Sequence, residues 1–126
     1  MSAKHVLLID DEKRLARVIQ ACLSKLGGWT VTVATSGVEG WVKASTEQPD
    51  AILLDVMMPD LDGLTLLHQL KESALTQTIP VILLTARPPA IAPDSTEPLP
   101  IAGIIPKPFD PLSLSNQIAE ILGWTI

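Results

Sequence analysis

The stretch from Ala51 to Gly63 reads AILLDVMMPDLDG, and the rest of the sequence is best interpreted outward from it. Four apolar residues lead into Asp55, and two methionines, a proline and an Asp-x-Asp-Gly turn follow. A short apolar run bounded by turn residues is typical of a buried strand. Such a strand would present the carboxylate of Asp55 at its carboxyl end.

Four further segments are predicted to be strands. Three are almost entirely apolar: HVLLID (5–10), PVILLT (80–85) and AGIIP (102–106). The fourth, WTVTVA (29–34), alternates β-branched and polar residues, which is typical of a strand with one less buried face. Uniformly apolar strands favour a parallel sheet that helices cover on both faces.

Apolar residues at helical spacing predict helices between these strands. The first spans Glu12 to Leu26 and is stopped by Gly27 and Gly28. The caps predicted for the second, third and last helices are Ser36, Asp62 and Asp110, the last with Pro111 at the first helical position. The side chains predicted to face the core are Leu15, Val18, Ile19, Cys22, Leu23, Leu26, Val38, Trp41, Val42, Ala44, Leu64, Leu66, Leu67, Leu70, Leu114, Ile118, Ile121 and Leu122. The sequence does not decide whether Trp124 packs on the last helix or belongs to a contact surface.

The alternation of strands and helices predicts an α/β fold with a doubly wound, five-stranded parallel sheet in the flavodoxin-like order 2-1-3-4-5. Residues 1–126 are expected to form a single domain. The helix expected after the fourth strand is predicted to be broken or absent, because RPPAIAPDSTEPLP (87–100) contains five prolines. An interior proline removes an amide donor and costs about 3 kcal/mol in a helix.

Composition limits the classes of function. The net charge of −5 argues against direct nucleic-acid binding, which needs clustered Lys and Arg. No apolar stretch is long enough for membrane insertion, and no signal peptide is evident at the start. The single cysteine, Cys22, excludes an internal disulfide and is interpreted as a small core residue. A cytoplasmic, soluble protein is expected.

Polar side chains follow the ends of four predicted strands. Asp10 and Asp11 follow the first, Asp55 ends the third, Thr85 ends the fourth and Lys107 follows the fifth. Parallel strands bring these ends to one edge, where open α/β sheets bind ligands. Three neighbouring carboxylates without His or Cys favour Mg²⁺. A hydroxyl and an ammonium suit phosphate oxygens, so the set indicates a phosphoryl-transfer site.

Four motifs, in order, resemble the receiver domain of two-component response regulators. They are LLIDDE in the first strand, ILLDVMMPDLDG around Asp55, VILLTA in the fourth strand and KPF at 107–109. The resemblance covers essentially the whole chain. It implies a stand-alone receiver of a phosphorelay, in which Asp55 accepts a phosphoryl group from a phosphohistidine on a sensor histidine kinase or histidine phosphotransfer protein.

The resemblance also implies roles for the other site residues. Asp11, Asp55 and the backbone carbonyl of Met57 would bind Mg²⁺, with Asp10 assisting through a water. Thr85 and the backbone amide of Ala86 would hold the phosphoryl group, and Lys107 would pair with it. The Lys107–Pro108 peptide would be cis. The domain would signal by binding an unknown downstream protein or by onward transfer, and at most would catalyse its own phosphorylation and dephosphorylation.

Two features depart from the family pattern. Ile104 occupies the position of the usual aromatic switch residue, and the proline-rich segment replaces the helix after the fourth strand. We therefore hypothesise that phosphorylation reorganises the segment from Arg87 to Ala102.

Alternative interpretations of the site residues remain. Asp10 and Asp11 alone could be an acidic cap for the first helix. A pseudo-receiver that docks proteins without phosphorylation is the alternative function. An aspartyl-phosphate hydrolase of the haloacid-dehalogenase type is disfavoured, because it needs an acid where Met57 stands. A dinucleotide-binding role is rejected, because no Gly-rich turn follows the first strand.

Overall fold

In the computed structural model, residues 4–56, 63–85 and 101–124 are described. They form alternating strands and helices. In chain order these are β1 (His5–Ile9), α1 (Lys13–Leu26), β2 (Thr30–Ala34), α2 (Gly37–Glu47), β3 (Ala51–Asp55), α3 (Gly63–Glu72), β4 (Val81–Thr85), β5 (Gly103–Pro106) and α4 (Leu114–Leu122). The strands are parallel and lie in the order β2-β1-β3-β4-β5, which confirms the predicted topology. Each predicted strand agrees with the observed one within one residue at either end.

The sheet has an apolar layer on each face. Because successive side chains of a strand point to opposite faces, Val6 and Leu8 of β1 lie in one layer, and Leu7 and Ile9 lie in the other. The helices α1 and α4 cover the first layer, while α2 and α3 cover the second. All five residues of β3 and of β4 are buried, as expected for central strands covered on both sides.

The inner face of α2 differs from the prediction. Val38 and Val42 are 62% and 51% exposed, whereas the helix contacts the sheet through small residues, including Gly40 and Ala44. A Cβ on Gly40 would lie 2.6 Å from the Cδ1 atom of Ile9, so the helix approaches β1 too closely for a larger residue. The apolar spacing predicts that these valines face the sheet, but the close approach of α2 to β1 leaves room only for small side chains there. The predicted cap is correct: the Ser36 Oγ accepts from the backbone N–H of Glu39 at 3.1 Å.

The core-facing stripe of α1 is also narrower than predicted. Ala16, Ile19 and Leu23 are buried, while Val18 and Leu26 are each 47% exposed. Val18 precedes Ile19 and therefore lies about 100° around the helix from it. The buried stripe of α1 therefore includes Ala16, which is not among the residues that the apolar pattern predicts to face the core.

The last helix begins later than predicted. α4 starts at Leu114 with Ser113 at the cap position, and Asp110 belongs to the preceding turn. The Asp110 Oδ1 accepts from the backbone N–H of Leu112 at 2.9 Å, so this carboxylate stabilises the turn rather than the helix. Gly123, with φ 70°, ends α4 as predicted.

Aromatic contacts join both ends of the chain at the amino-terminal edge of the sheet. Trp124, which follows α4, packs edge-on against buried Trp29, with ring centroids 5.2 Å apart and planes at 82°. The Lys4 Nζ lies 5.3 Å from the centroid of Trp124. Trp124 is therefore half-buried and packs on the core, against the residue before β2.

Some predictions fall on residues outside the described ranges. These are the Asp62 cap, Met57, Ala86 and nearly all of the segment from Arg87 to Ala102. Within the described part of the chain, every helix is too short or too polar to cross a bilayer.

Candidate functional site: an acidic cluster at the carboxyl edge of the sheet

The ends of β1 and β3 bring three acids together. Asp10 follows β1 and is 0% exposed, Asp55 is the last residue of β3 and is 4% exposed, and Asp11 is exposed. One carboxylate oxygen from each lies within 4.8 Å of the others. β1 and β3 are directly paired neighbours in the sheet, so the fold holds these acids at fixed positions.

Asp10 has two distinct roles, one for each carboxylate oxygen. Its Oδ1 accepts from the backbone N–H of Glu12 at 2.9 Å, which shapes the turn into α1. Its Oδ2 is buried and accepts no hydrogen bond from the described residues. The Oδ1 bond belongs to the turn before α1, whose cap position is Glu12 and which has no side-chain cap, so the acidic-cap interpretation is wrong for Asp10. The Oδ2 faces the cluster and is the kind of buried oxygen that needs a cation.

Lys107 supplies a positive charge to the cluster. Its Nζ lies 3.6 Å from the Asp10 Oδ2 and 3.5 Å from the Asp55 Oδ1, and its side chain is 20% exposed. The backbone N–H of Lys107 donates to the carbonyl of Thr85 at 2.8 Å, which fixes the residue beyond the end of β5. The Lys107–Pro108 peptide is cis, as predicted.

Thr85 completes the group of polar residues at this edge. It is the last residue of β4, is 1% exposed and pairs with Pro106 in the sheet register. All five polar side chains predicted for the site are therefore described, and four strands place them at the same edge. Met57 and Ala86, whose backbone groups were also predicted to contribute, lie outside the described residues.

Gly63, the first residue of α3, lies directly against the site backbone. A Cβ there would come within 2.6 Å of the Val56 Cα and 2.7 Å of the Asp55 carbonyl oxygen. Its N–H donates to the carbonyl of Val56 at 3.1 Å. Only glycine allows α3 to begin this close to the strand that carries Asp55, which is the steric reason for Gly63 at the end of the DLDG sequence.

The donor set suits a hard divalent cation. Three carboxylates and one ammonium leave an excess of negative charge, and the oxygens are close enough to share one ion. Oxygen-only donors without imidazole or thiolate match Mg²⁺ better than zinc or copper. The buried Asp10 Oδ2, which accepts no hydrogen bond from the described residues, gives this fit a structural basis.

A pocket beside the cluster was not predicted from the sequence. It has a volume of about 370 Å³ and is lined by Leu15, Lys107, Pro108 and Phe109. The apolar pattern predicts that Leu15 faces the core, and the KPF motif is the only pattern that includes Phe109. The available signal was the position of Phe109, the single phenylalanine of the chain, two residues after the site lysine.

Comparisons with a family model and with curated proteins indicate the same family. The model of the family described as "Response regulator receiver domain" matches residues 6–119. The alkaline phosphatase synthesis transcriptional regulatory protein PhoP of Bacillus subtilis (strain 168) is 34% identical over 119 residues, which are 94% of this chain and 48% of PhoP. The chain spans about half the length of the curated relatives it matches.

Solved structures give the same fold. The chemotaxis protein CheY4 of Vibrio cholerae superposes with a TM-score of 0.83 at 23% identity, covering 95% of this chain and 99% of CheY4. The receiver domain of the sensor histidine kinase PA1611 of Pseudomonas aeruginosa PAO1 was solved with a magnesium ion coordinated in its active site cleft. It is 26% identical with a TM-score of 0.82, and the match covers 97% of this chain and 99% of that domain.

Proposed function

The chain belongs to the response regulator receiver domain family of two-component systems, and from this premise we propose that Asp55 is its phosphoryl acceptor. The donor is a phosphohistidine on a sensor histidine kinase or a histidine phosphotransfer protein, and the reaction depends on Mg²⁺. The domain acts as a signalling module rather than as an ordinary enzyme. The observation that carries the proposal is the position of the buried Asp55 carboxylate between two further acids and the Lys107 ammonium.

The transfer itself needs little from the protein beyond positioning and charge. An oxygen of the Asp55 carboxylate attacks phosphorus and forms a P–O bond, and the P–N bond of the donor breaks. Its electron pair stays on the imidazole nitrogen, which leaves with the donor. Catalysis of such a step rests on in-line placement and on compensation of phosphoryl charge.

Asp10, Asp11, Asp55 and the carbonyl of Met57 are proposed to hold Mg²⁺. When bound, the ion would supply positive charge to the phosphoryl oxygens and offset the mutual repulsion of the acids. The magnesium-bound PA1611 receiver domain supports this assignment by analogy, and the close carboxylate oxygens of this chain support it directly.

Thr85, Ala86 and Lys107 are proposed to hold the transferred group. The Thr85 hydroxyl and the Ala86 amide would donate to phosphoryl oxygens, and the Lys107 ammonium would move from its carboxylate contacts to pair with the new charge. Lys107 is suited to this change because its Nζ lies 3.5 and 3.6 Å from two carboxylate oxygens, which are longer contacts than a charge-assisted hydrogen bond.

The alternative of a phosphorylation-independent docking module is not favoured. A module that only docks proteins has no need for a buried carboxylate oxygen without a hydrogen-bond donor, or for an ammonium between two acids. The cytoplasm is the proposed compartment, and a protein partner is the proposed target of the phosphorylated form.

Acetyl phosphate and Mg²⁺ test the proposal without a kinase. Wild-type protein should gain the mass of one phosphoryl group, and Asp55→Asn should not. Asp50→Asn is a matched control, because it removes an exposed carboxylate at the opposite edge of the sheet and keeps an oxygen to accept from the His5 N–H. Labelling that persists in Asp55→Asn, or that proceeds equally well in EDTA, would contradict the proposal.

A further inference from the structure

The first helix carries an unusual concentration of positive charge. α1 has the sequence KRLARVIQACLSKL and contains four of the nine Lys and Arg residues of the chain, but no acid. The whole chain has a net charge of −5, so the residues outside this +4 helix carry −9. Positive charge is therefore concentrated on α1, while the rest of the chain is acidic.

The four cations lie on one side of α1. Lys13, Arg14, Arg17 and Lys25, which we call the basic α1 surface, are all exposed. At 3.6 residues per turn they fall within an arc of about 120°, and they extend over about 18 Å of helix. None of them lies within 4.0 Å of a carboxylate of the described residues, so this surface has no internal counter-charge there.

Apolar groups lie beside these cations. Val18 is 47% exposed between the two ends of the basic α1 surface. Leu15, which follows Arg14, lines the pocket that also contains Lys107 and Phe109. A mixed surface of this kind, with apolar side chains flanked by cations, suits a protein partner.

The basic α1 surface is also continuous with the acceptor site. α1 begins at Lys13, three residues after Asp10, and leads away from the carboxyl edge of the sheet. A protein that brings a phosphohistidine to Asp55 must lie over this edge, and it would then cover the first turns of α1.

We propose that the basic α1 surface selects a phosphodonor protein whose helices are acidic around the phosphohistidine. This inference rests on the proposed function and adds the charge of the partner to it. Complementary charge would steer the donor toward Asp55 and raise the association rate, since steering of this kind changes on-rates by roughly 10 to 10³-fold. Its length of about 18 Å matches about twelve residues of a partner helix.

A nucleic acid is the other polyanion that four cations could attract, but the surroundings disfavour it. Exposed Asp11 and Glu12 immediately precede the basic α1 surface. A phosphate backbone is charged along its whole length and would meet these acids, whereas a protein can place its acidic residues opposite the cations alone.

The test compares two protein donors with one small donor. The protein donors are a phosphorylated histidine phosphotransfer domain with acidic residues around its phosphohistidine and a variant of it with those acids neutralised. The receiver variants are Arg14→Gln/Arg17→Gln and, as a control with the same change of −2, Thr65→Glu/Gln69→Glu on exposed positions of α3. Acetyl phosphate labels the acceptor without any docking surface.

Transfer from the acidic donor to the wild type should be about tenfold faster than from the neutralised donor at low salt, and this advantage should fall as salt rises. Arg14→Gln/Arg17→Gln should lose most of the advantage, while the α3 control keeps it.

Equal rates from the two protein donors, or equal loss in both receiver variants, would overturn the inference while acetyl phosphate labelling still supported the proposed function. Wild-type protein that takes no label from acetyl phosphate would overturn the proposed function, and the inference with it. A 20-base-pair DNA duplex that binds through Arg14 and Arg17 at physiological salt would also overturn it, by assigning the surface to nucleic acid.

Discussion

Replacing Asp10 by Asn tests two properties of the acidic cluster. One is how far repulsion between its carboxylates lowers the free energy of unfolding, and the other is whether Asp10 contributes to Mg²⁺ binding. Asp10 is fully buried, and its Oδ2 has no hydrogen-bond donor among the described residues. Asparagine has almost the same shape and keeps an oxygen that can accept from the Glu12 N–H. The substitution therefore removes one negative charge with little change in packing.

The distances set the size of the effect. Two unit charges 4.8 Å apart repel by about 3.5 kcal/mol at an effective dielectric constant of ~20. The attraction between the Lys107 Nζ and the Asp10 Oδ2 at 3.6 Å is about 4.6 kcal/mol on the same scale. Repulsion from Asp11 and Asp55 together exceeds this attraction, and solvent screens the part due to exposed Asp11. The net gain in the free energy of unfolding on removing the charge should be about 1–2 kcal/mol without Mg²⁺.

Thermal unfolding in EDTA measures the effect of the carboxylate repulsion, and thermal unfolding in MgCl₂ measures the stabilisation by bound Mg²⁺. For a chain of 126 residues, 1 kcal/mol corresponds to roughly 4 °C in Tm. In EDTA, Asp10→Asn should therefore melt about 4–8 °C above the wild type. At Mg²⁺ concentrations ten times the Kd, the wild type should gain about 1.4 kcal/mol, and the variant should gain much less.

The refuting result is equally specific. If Asp10→Asn is less stable than the wild type in EDTA and keeps the full response to Mg²⁺, the carboxylates neither repel one another nor share an ion. Asp50→Asn is the control, because Asp50 is exposed at the far edge of the sheet and its removal should not change the Mg²⁺ response.

Three further substitutions test the fold and its pH dependence. Gly40→Ala should lower the free energy of unfolding by about 1–3 kcal/mol in urea, because the new methyl would lie 2.6 Å from the Ile9 Cδ1; a stabilised variant would refute close helix–strand contact. Ser36→Ala should cost about 1 kcal/mol by removing the acceptor for the Glu39 N–H, and an unchanged urea midpoint would refute the cap. Burial lowers the pKa of Lys71 below 10.5, so the folded protein binds this proton less tightly than the unfolded chain does, and stability should rise as pH increases toward 10.5. Lys71→Met should remove that part of the slope in urea titrations between pH 8 and pH 10.5, and parallel slopes for the two proteins would refute it.

The sequence was sufficient for the sheet because four of its strands are nearly continuous apolar runs with clear ends, while β2 shows the alternation of a strand with one less buried face. Burial on both faces allows few polar residues in such strands, so a polar residue such as Asp55 marks a strand end. Strand ends in a parallel sheet share one edge, and this geometric fact was enough to bring Asp10, Thr85 and Lys107 into the same prediction. The Lys107–Pro108 cis peptide came instead from the family resemblance.

The sequence was less informative where packing distance decides the outcome. Apolar spacing placed Val38 and Val42 inward, but the contact with Ile9 is so close that Gly40 occupies the inner face. Asp110 was predicted to cap the last helix, yet its carboxylate binds the Leu112 N–H in a turn that precedes it. The two arrangements have almost the same local sequence signal, because an aspartate stabilises a helix start and a turn by the same hydrogen bond.

The pocket beside Lys107 is a feature of the site that sequence patterns likewise did not predict. It depends on how α1 and the segment after β5 meet in space, since Leu15 and Phe109 are far apart in sequence. Residue spacing places each side chain on its own element, but the gap between two elements follows from the packing of the whole layer.

The aromatic pair at the amino-terminal edge gives this chain a convenient optical property. The protein has three tryptophans and no tyrosine, so its ultraviolet emission comes from indole rings apart from the weak emission of Phe109. Trp29 and Trp124 lie 5.2 Å apart, close enough for their transitions to couple and to give a near-ultraviolet circular dichroism signal from that edge. Trp41 packs against the other face of the sheet, in the layer that also contains Val56, next to Asp55. Trp41 therefore shares an apolar layer with a neighbour of the site, whereas Trp29 and Trp124 lie at the opposite edge of the sheet, so the dichroism of the coupled pair should not change on adding Mg²⁺.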